Sequence, residues 1–381
     1  MATIIARIRE RADIPIAYWV LAALVVFGLV VGVIRLVTGL GATTNLSSGY
    51  PWGLWIAFDV FTVPLSAGAF TLAAVLHIFN REEYHGVAHL ALLAGFLGYL
   101  LVVLVLLMDL GRWDHFYSVL MPWRWNLHSF MFEVSISVAI YFGVLVLELV
   151  GVVFADKDWV PIRLINRGIP LIAGLGILLS CVHQGSLGAL FLVLSHKLHP
   201  LWWSPILPIL FFASAVFSGL TVAILLGLVT WRAMGKPAPM GLLVRLAKVV
   251  AIVQAIYLVL KVGDLVAMGE LGLVFSSGWL SVMWVAEMIL GVIMPLVIFG
   301  TRIRRSKTCL LFGAIYTLLG LALNRSSIAW FALQAPAGAT YVPHWMEFAI
   351  VIAAFAFGIL FFCLGVNYVP TLRKSVTEGE H

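Results

Sequence analysis

Apolar and polar positions divide this chain into ten long hydrophobic runs separated by short polar, glycine-containing or charged segments. The runs cover residues 16–37, 54–79, 87–108, 127–154, 168–194, 205–231, 242–267, 280–299, 308–323 and 346–367. Most of them exceed about 18 residues, which is long enough to cross a bilayer as an α-helix. Backbone polar groups in hydrocarbon must be satisfied within their own segment, and the runs lack the alternation of barrel strands. The pattern predicts an all-α, polytopic membrane protein of about ten transmembrane helices.

The ten predicted helices, numbered 1 to 10 in chain order, should form a single integral membrane domain over residues 1–381. Within it we expect two four-helix bundles, because ionisable residues recur at similar depths in the two halves. Helices 2–5 (54–194) form the first bundle, helices 6–9 (205–323) the second, and helices 1 (16–37) and 10 (346–367) flank them. The connections are about 5 to 20 residues long, too short for a separate catalytic domain. Any such domain must come from a partner polypeptide.

The charge distribution predicts how these helices are oriented. Charged residues make up 10% of the chain, and its formal net charge is +6. Lys and Arg concentrate in alternate connections, on the side of the N-terminus, so both termini should face the cytoplasm. The basic residues are spread over several loops and both tails, which argues against a nucleic-acid-binding surface. Cys181, Cys309 and Cys363 lie far apart in apolar runs and should pack as small hydrophobic residues.

Three ionisable residues fall inside predicted helices at one depth. Asp59, in "GLWIAFDV", and Glu133, in "NLHSFMFEVSIS", each lie about six residues, or ~9 Å, from the outer ends of helices 2 and 4. His183, in "SCVHQGSLG", lies about 10 Å from the outer end of helix 5 if that helix continues through Gly185 and Gly188, which could instead break it. Because ionisable groups are costly in hydrocarbon, they normally face the bundle interior and mark function. We expect all three to line one pocket.

Five residues near the outer surface are expected to support this pocket. Asp109 and Arg112 are spaced to form an i,i+3 ion pair at the end of helix 3. His128 lies at the start of helix 4, and Tyr50 and Trp52 form the turn before helix 2. Together with Asp59, Glu133 and His183, they form a predicted cluster of polar side chains from helices 2 to 5.

Other ionisable residues indicate proton routes. Lys261 and Asp264 lie three residues apart on helix 7, and Glu287 enters helix 8 at a depth similar to that of Glu133. They form either a neutralised structural network or part of a proton route. Glu148, near the inner end of helix 4, is either an inner proton step or an acid at the membrane interface.

The three buried groups suit the chemistry of a quinone. Carboxyl and imidazole groups can hydrogen-bond carbonyl oxygens and exchange protons. A lipid-soluble quinone needs a slot that is open to lipid, polar groups for its two carbonyls, and protons to match its electrons. We therefore expect a site for quinone binding and proton exchange, with menaquinone or another quinone as the substrate.

Two other functions remain open from the residues alone. A haem-b membrane cytochrome needs axial histidine pairs, which His128 with His183 and His77 with His89 could supply. Against it, His77, His89 and His128 flank loops, and no helix carries a histidine pair in its interior. A secondary transporter would show interrupted helices in corresponding positions of two halves. Only "HQGSLG" resembles such an interruption.

The outer loops indicate a protein partner. The segment "DLGRWDHFYSVLMPWRWN" combines five aromatic residues with two arginines, and "SHKLHPLWWSP" has a similar character. Such belts are common at membrane interfaces, but aromatic residues with arginine also anchor protein interfaces. Because the short inner loops lack this density, the partner is expected on the outer face.

Several strings of residues resemble a known family. The strings "TGLGATTNLSSGYPWGLWIAFDV", "FNREEYH", "MDLGR", "PWRWNLHSFMFEVS", "VHQGSLGALF" and "KLHPLWWSPILP" are similar to the NrfD/polysulfide reductase (PsrC) membrane-subunit family, and within it to the HybB-type subunit of uptake hydrogenases. They fall within residues 38–210, about half of the chain.

The resemblance implies a quinone-reactive subunit of the bacterial inner membrane that holds no haem or iron–sulfur cluster of its own. It implies electron exchange with a periplasmic ferredoxin-like iron–sulfur subunit, and through it with a hydrogenase, a molybdopterin enzyme or a multihaem cytochrome. It places the quinone pocket in the N-terminal bundle, where Asp59, Glu133 and His183 match the pattern.

Overall fold

A computed structural model describes residues 15–77, 82–157, 159–334 and 340–378. In this part of the chain ten helices are long and apolar enough to cross a membrane. They are α1 Ile16–Thr38, α2 Leu54–His77, α3 His85–Asp109, α4 Phe130–Val153, α5 Val160–Leu192, α6 Leu207–Ala233, α7 Met240–Ala267, α8 Trp279–Gly300, α9 Lys307–Phe331 and α10 Trp345–Tyr368. The all-α, polytopic membrane fold predicted from the sequence is confirmed.

Short helical segments connect or follow the long helices. They are Leu40–Thr43, Glu82–Tyr84, Trp113–Leu120, Pro122–Arg124, Leu273–Ser276, Arg302–Arg305 and Pro370–Glu378. The last of them folds back against α3 and α4.

Two helices differ from their predicted extents. Helix α5 begins at Val160 rather than near residue 168. Pro161 lies in its first turn, where backbone N–H groups have no partner within the helix, so the N–H that proline lacks costs no hydrogen bond. Helix α9 continues beyond residue 323 through a π-helical turn, Ser327–Phe331, in a region predicted to be an outer loop. A second π-helical turn, Ile289–Ile293, lies within α8. Such turns are single-turn features that recur at functional sites.

The helices pack in neighbouring pairs around α2 and α6. Helix α2 contacts α3 and α5, and α4 contacts α5 and α3, so α2 to α5 enclose a common interior. Helix α6 packs against α2 and α5 on one side and against α7 and α9 on the other. Helices α1 and α10 pack against each other, and α10 also lies against α3.

A close approach between glycines joins α2 to α6. A Cβ atom added at Gly219 would lie 2.2 Å from the backbone nitrogen of Gly68, so only glycine allows this approach. Small residues at helix contacts are the usual way for backbones to approach closely in membranes.

The two ends of the helix assembly differ in character. We call one end the basic face; it carries the connections at 154–159, of which residue 158 lies outside the described residues, 234–239 and 301–306. The opposite end, the aromatic face, carries those at 39–53, 110–129, 193–206, 268–278 and 332–344, of which residues 335–339 lie outside the described residues.

Candidate functional site

Two side-chain contacts between α4 and α5 form a polar ladder, in which Ser137, His183 and Ser186 are buried and Glu133 is exposed. Ser137 Oγ lies 2.7 Å from Nδ1 of His183, and Ser186 donates a hydrogen bond of 2.5 Å to Oε1 of Glu133. Glu133 and Ser137 are four residues apart on α4, and His183 and Ser186 are three apart on α5, so the contacts lie one helical turn apart. Helix α5 is continuous through Gly185, which places His183 inside a helix rather than at a break.

His183 lies where all four helices α2 to α5 meet. Its side chain is fully buried, and the Tyr99 ring of α3 lies 5.8 Å from it, centroid to centroid. The neighbouring Gln184 is also buried and reaches α2, with Nε2 3.5 Å from the carbonyl oxygen of Val63.

Several polar atoms of this interior have no hydrogen-bond partner among the described residues. Among them are Nε2 of His183 and Oε1 of Gln184. The Tyr99 hydroxyl and Oγ of Ser180 lie in the same interior and interact with each other. Buried polar atoms are nearly always hydrogen-bonded, so each exception needs an explanation. A bound molecule with oxygen acceptors and hydroxyl donors would satisfy them.

Asp59 lies one turn closer to the aromatic face than Val63, at the level of the contact between Glu133 and Ser186. Its side chain is 6% exposed, and neither carboxylate oxygen has a hydrogen-bond partner in the part of the chain that the structure describes. Asp109 of α3 lies close enough to interact with it electrostatically. Asp59 therefore faces a second carboxylate.

Asp109 interacts electrostatically with Arg35 and does not pair with Arg112. Arg35 on α1 is fully buried, interacts electrostatically with Asp109 and donates a hydrogen bond of 2.7 Å to the carbonyl of Leu110. The Arg112 side chain is 75% exposed and pairs with Asp114 at 3.3 Å. The predicted pair between Asp109 and Arg112 is wrong, because the chain leaves the helix after Asp109 and carries Arg112 to the surface.

Of the other supporting residues, His128 is exposed and does not join the buried groups. Tyr50 is buried; its hydroxyl donates to the carbonyl of Trp330, and its ring stacks on Tyr341 at 5.3 Å. Burial raises the pKa of Tyr50 to about 12. Trp52 packs edge-on against Phe191 at 5.4 Å. The Tyr50–Trp52 turn thus closes α2 at the aromatic face.

Glu148 lines a cavity of about 310 Å³ near the basic face. His85 and His89 of α3 line it too, with ring centroids 4.4 Å apart, and Thr371 of the C-terminal segment borders it. This location agrees with an inner position for Glu148. The side chain of His77 lies outside the described residues.

The second half of the chain contains a dense buried network around Glu287. Its two carboxylate oxygens accept hydrogen bonds of 2.8 Å from Trp202 and from Asn324. Lys261 is also buried and interacts with Glu287 and with the half-buried Asp264. All three predicted residues are thus neighbours.

Arg325 completes this network, although the sequence pattern predicts a loop at this position. It is 1% exposed and donates hydrogen bonds to Asn324 at 2.8 Å and to Ser214 at 2.6 Å. Its guanidinium lies 3.6 Å from the centroid of the Phe211 ring.

Ten apolar helices around buried ionisable groups define a multi-pass membrane protein with an internal polar site. Residues 42–336 match the family "Polysulphide reductase, NrfD", and the chain belongs to this family. It is a membrane subunit of the kind found in oxidoreductase complexes.

Three relatives illustrate the range of the family. The chain is 32% identical to the "Probable Ni/Fe-hydrogenase 2 b-type cytochrome subunit" of Escherichia coli (strain K12), over 94% of this chain and 92% of the relative. It is 28% identical to the "Menaquinone reductase, integral membrane subunit" of Nitratidesulfovibrio vulgaris, over 88% and 86%. It is 24% identical to a selenate reductase subunit of Mesobacillus selenatarsenatis, over 94% of each chain.

Proposed function

We propose that this chain is the quinone-reactive membrane subunit of a respiratory oxidoreductase, and that its quinone, menaquinone, binds in the interior of α2 to α5. The polar ladder carries this proposal, since its fully buried member His183 lies beside unpartnered polar atoms in the interior of α2 to α5 and its exposed member Glu133 reaches the surface. The name of the Nitratidesulfovibrio vulgaris relative, a menaquinone reductase subunit, supports the same substrate.

In this proposal each group has a separate task. Because Ser137 Oγ donates to the carbonyl of Val134, Nδ1 of His183 donates to Ser137 and Nε2 is the acceptor of the neutral ring. Nε2 therefore accepts from a hydroxyl of the quinol, or in its protonated form donates to a carbonyl oxygen of the quinone, and the protonated Asp59 carboxyl donates to the other carbonyl oxygen; both groups exchange protons with the bound molecule. Glu133 passes protons between this site and the surroundings. Reduction of the quinone to the quinol takes up two electrons from the partner and two protons through these side chains, and oxidation returns them.

The outer surroundings and the second half have supporting roles. Asp109 and Arg35 set the charge around Asp59, and the Tyr50–Trp52 turn excludes water from above. Glu148 serves as an inner proton step, and the network of Lys261, Asp264 and Glu287 forms a further proton route.

The partner is a periplasmic ferredoxin-like iron–sulfur subunit that docks on the aromatic face. Through it the chain exchanges electrons with a hydrogenase, a molybdopterin enzyme or a multihaem cytochrome; the hydrogenase and selenate reductase names of two relatives support this assignment. Both ends of the chain lie in the cytoplasm of a bacterial inner membrane in this proposal; the even number of candidate spans among the described residues and the positive-inside rule support this orientation.

The word "cytochrome" in the name of the Escherichia coli relative raises haem as a cofactor, and the histidines of the described residues do not fit it well. Haem b needs ligands on opposite faces of the iron. The predicted pair of His77 with His89 involves a side chain outside the described residues. His85 and His89 come from successive turns of one helix, so they approach from the same side. His128 is exposed while His183 is fully buried with Nδ1 on Ser137. No step of the proposed function uses a haem.

The substitution Asp59→Asn tests the proposal. It removes the titratable group and keeps its shape, so quinone-linked electron transfer by the purified complex should be lost while the complex still assembles. Asp156→Asn, at an exposed position on the basic face, is the matched control and should leave turnover unchanged. Normal turnover of a soluble quinone analogue by Asp59→Asn would remove Asp59 from the mechanism.

A further inference from the structure

A large apolar groove lies outside the interior of α2 to α5, on the opposite side of α2 and α3. Its volume is about 440 Å³, within the range of small-molecule sites. Helices α2 and α3 form its floor, with Ser66, Ala94 and Gly98 among the lining residues, and α6 and α10 form its two walls.

The groove opens towards lipid. Val229 of α6 is 52% exposed, and Phe355 and Ile359 of α10 are 40% and 53% exposed, yet all three line the groove. Because these side chains lie on membrane-spanning helices, their exposed surface faces the bilayer. A molecule can therefore enter sideways from the hydrocarbon phase.

Three polar side chains in the lining, those of Thr62, Ser66 and Asn367, have partners within the chain. Thr62 donates to the carbonyl of Phe58 at 2.8 Å, and Ser66 donates to that of Thr62 at 3.3 Å. Asn367 donates to the Tyr18 hydroxyl at 3.1 Å and to the carbonyl of Cys363 at 2.9 Å. The lining thus offers hydrocarbon contact rather than hydrogen bonds, which suits an alkyl chain.

The length and position of the groove match one leaflet. Its lining runs along α6 from Val222 to Met234 and along α10 from Phe355 to Asn367. Each stretch rises about 18 Å, slightly more than half of the ~30 Å hydrocarbon core. Both stretches end at the basic face, so the groove occupies the leaflet on that side.

Basic side chains lie at the end where a headgroup would be. Arg232 is exposed and follows Val229 by three residues, so it lies on the same side of α6, one turn closer to the basic face. Lys236 follows in the next connection. Basic pockets between helices on this side of a membrane bind anionic headgroups.

We propose that this groove is a binding site for one anionic phospholipid of the leaflet at the basic face, with an acyl chain in the groove and its phosphate beside Arg232. The site does not depend on the quinone chemistry proposed above.

The test measures lipid retained by the full chain, purified in mild detergent, by native mass spectrometry and by solvent extraction. Wild-type protein should retain one phospholipid per chain. Ala94→Phe fills the floor, and Val229→Trp covers the opening without entering the core; each should lower retention on the order of tenfold. Ala23→Phe adds the same bulk at an exposed position of α1 and should retain lipid like the wild type.

The headgroup is tested separately with Arg232→Gln. This substitution should weaken the retention of anionic phospholipid about fivefold and leave that of a zwitterionic phospholipid unchanged. Equal phospholipid retention by wild type, Ala94→Phe and Val229→Trp would overturn the proposal. If Ala94→Phe and Val229→Trp retained less quinone than the wild type but the same amount of phospholipid, the proposal would also be overturned, because the groove would then bind the quinone tail.

Discussion

Oγ of Ser137 on α4 lies 2.7 Å from Nδ1 of His183 on α5, and the His183 side chain is fully buried. This contact fixes the plane of the ring. Nε2 of His183 is then held in one direction, within an interior where Oε1 of Gln184 also has no partner among the described residues. The role of Ser137 is therefore to orient a group that the proposed function uses.

Ser137→Ala should therefore weaken quinone binding without removing a proton carrier. A lost hydrogen bond contributes roughly 1 kcal/mol, so the KM for a soluble quinone analogue should rise about five- to tenfold. Ser135→Ala is the matched control, because that hydroxyl donates to the carbonyl of Met131, at 2.7 Å, on the same helix. An unchanged KM in Ser137→Ala would show that the ring is oriented by other contacts.

Glu133→Gln should separate proton transfer from binding. The amide oxygen can still accept the hydrogen bond from Ser186, so the local geometry and the KM are expected to persist. The titratable proton is lost, and kcat should fall on the order of 10²-fold. Steady-state kinetics over a range of quinone concentrations measures both constants; a normal kcat would exclude Glu133 as a relay.

The network around Glu287 predicts a large effect on stability. Arg325→Met removes a buried charge that neighbours Glu287, Asn324 and Ser214, and breaking such a network costs about 3–5 kcal/mol. Thermal unfolding of the detergent-solubilised protein should show a markedly lower midpoint. Arg302→Met, at an exposed position on the basic face, should melt like the wild type. Equal midpoints for the two variants would contradict the structural role of Arg325.

Tyr50 predicts a loss of stability at alkaline pH. Burial raises its pKa from 10.0 to about 12 in the folded chain. A raised pKa stabilises the folded state fully below pH 10, and this contribution is lost as the pH rises towards 12. The stability of Tyr50→Phe should decline less steeply than that of the wild type between these two pH values. Parallel pH profiles of thermal stability would show that Tyr50 does not titrate in this way.

The sequence pattern predicts the helices well because long apolar runs in a membrane have few alternatives. It fails at Arg325, since a polar run of Asn, Arg and two Ser is typical of a loop. Here the buried partners Asn324 and Ser214 accept hydrogen bonds from the guanidinium, Glu287 lies nearby, and the helix continues through a π-helical turn. Because Ser214 and Glu287 lie on other helices, the sequence around Arg325 does not reveal that they stabilise its buried charge.

The candidate site could be predicted in part. Depth along a helix follows from residue counting, which is why Glu133 and His183 are predictable as members of one layer. Rotation about the helix axis is less certain, and it decides that Asp59 faces Asp109 while His183 faces Ser137. Arg35 looks in the sequence like a surface charge at the outer end of its helix. The residue with which it interacts, Asp109, lies on another helix, so the local sequence does not predict its burial.

The central claim is that a quinone reacts at His183. Its most direct test is quinone-linked electron transfer by the purified complex carrying His183→Gln, measured beside reduction of an artificial dye by the co-purified partner. We expect quinone turnover to fall at least about 100-fold, with dye activity and the set of co-purifying proteins unchanged. Wild-type quinone turnover in this variant would contradict the account.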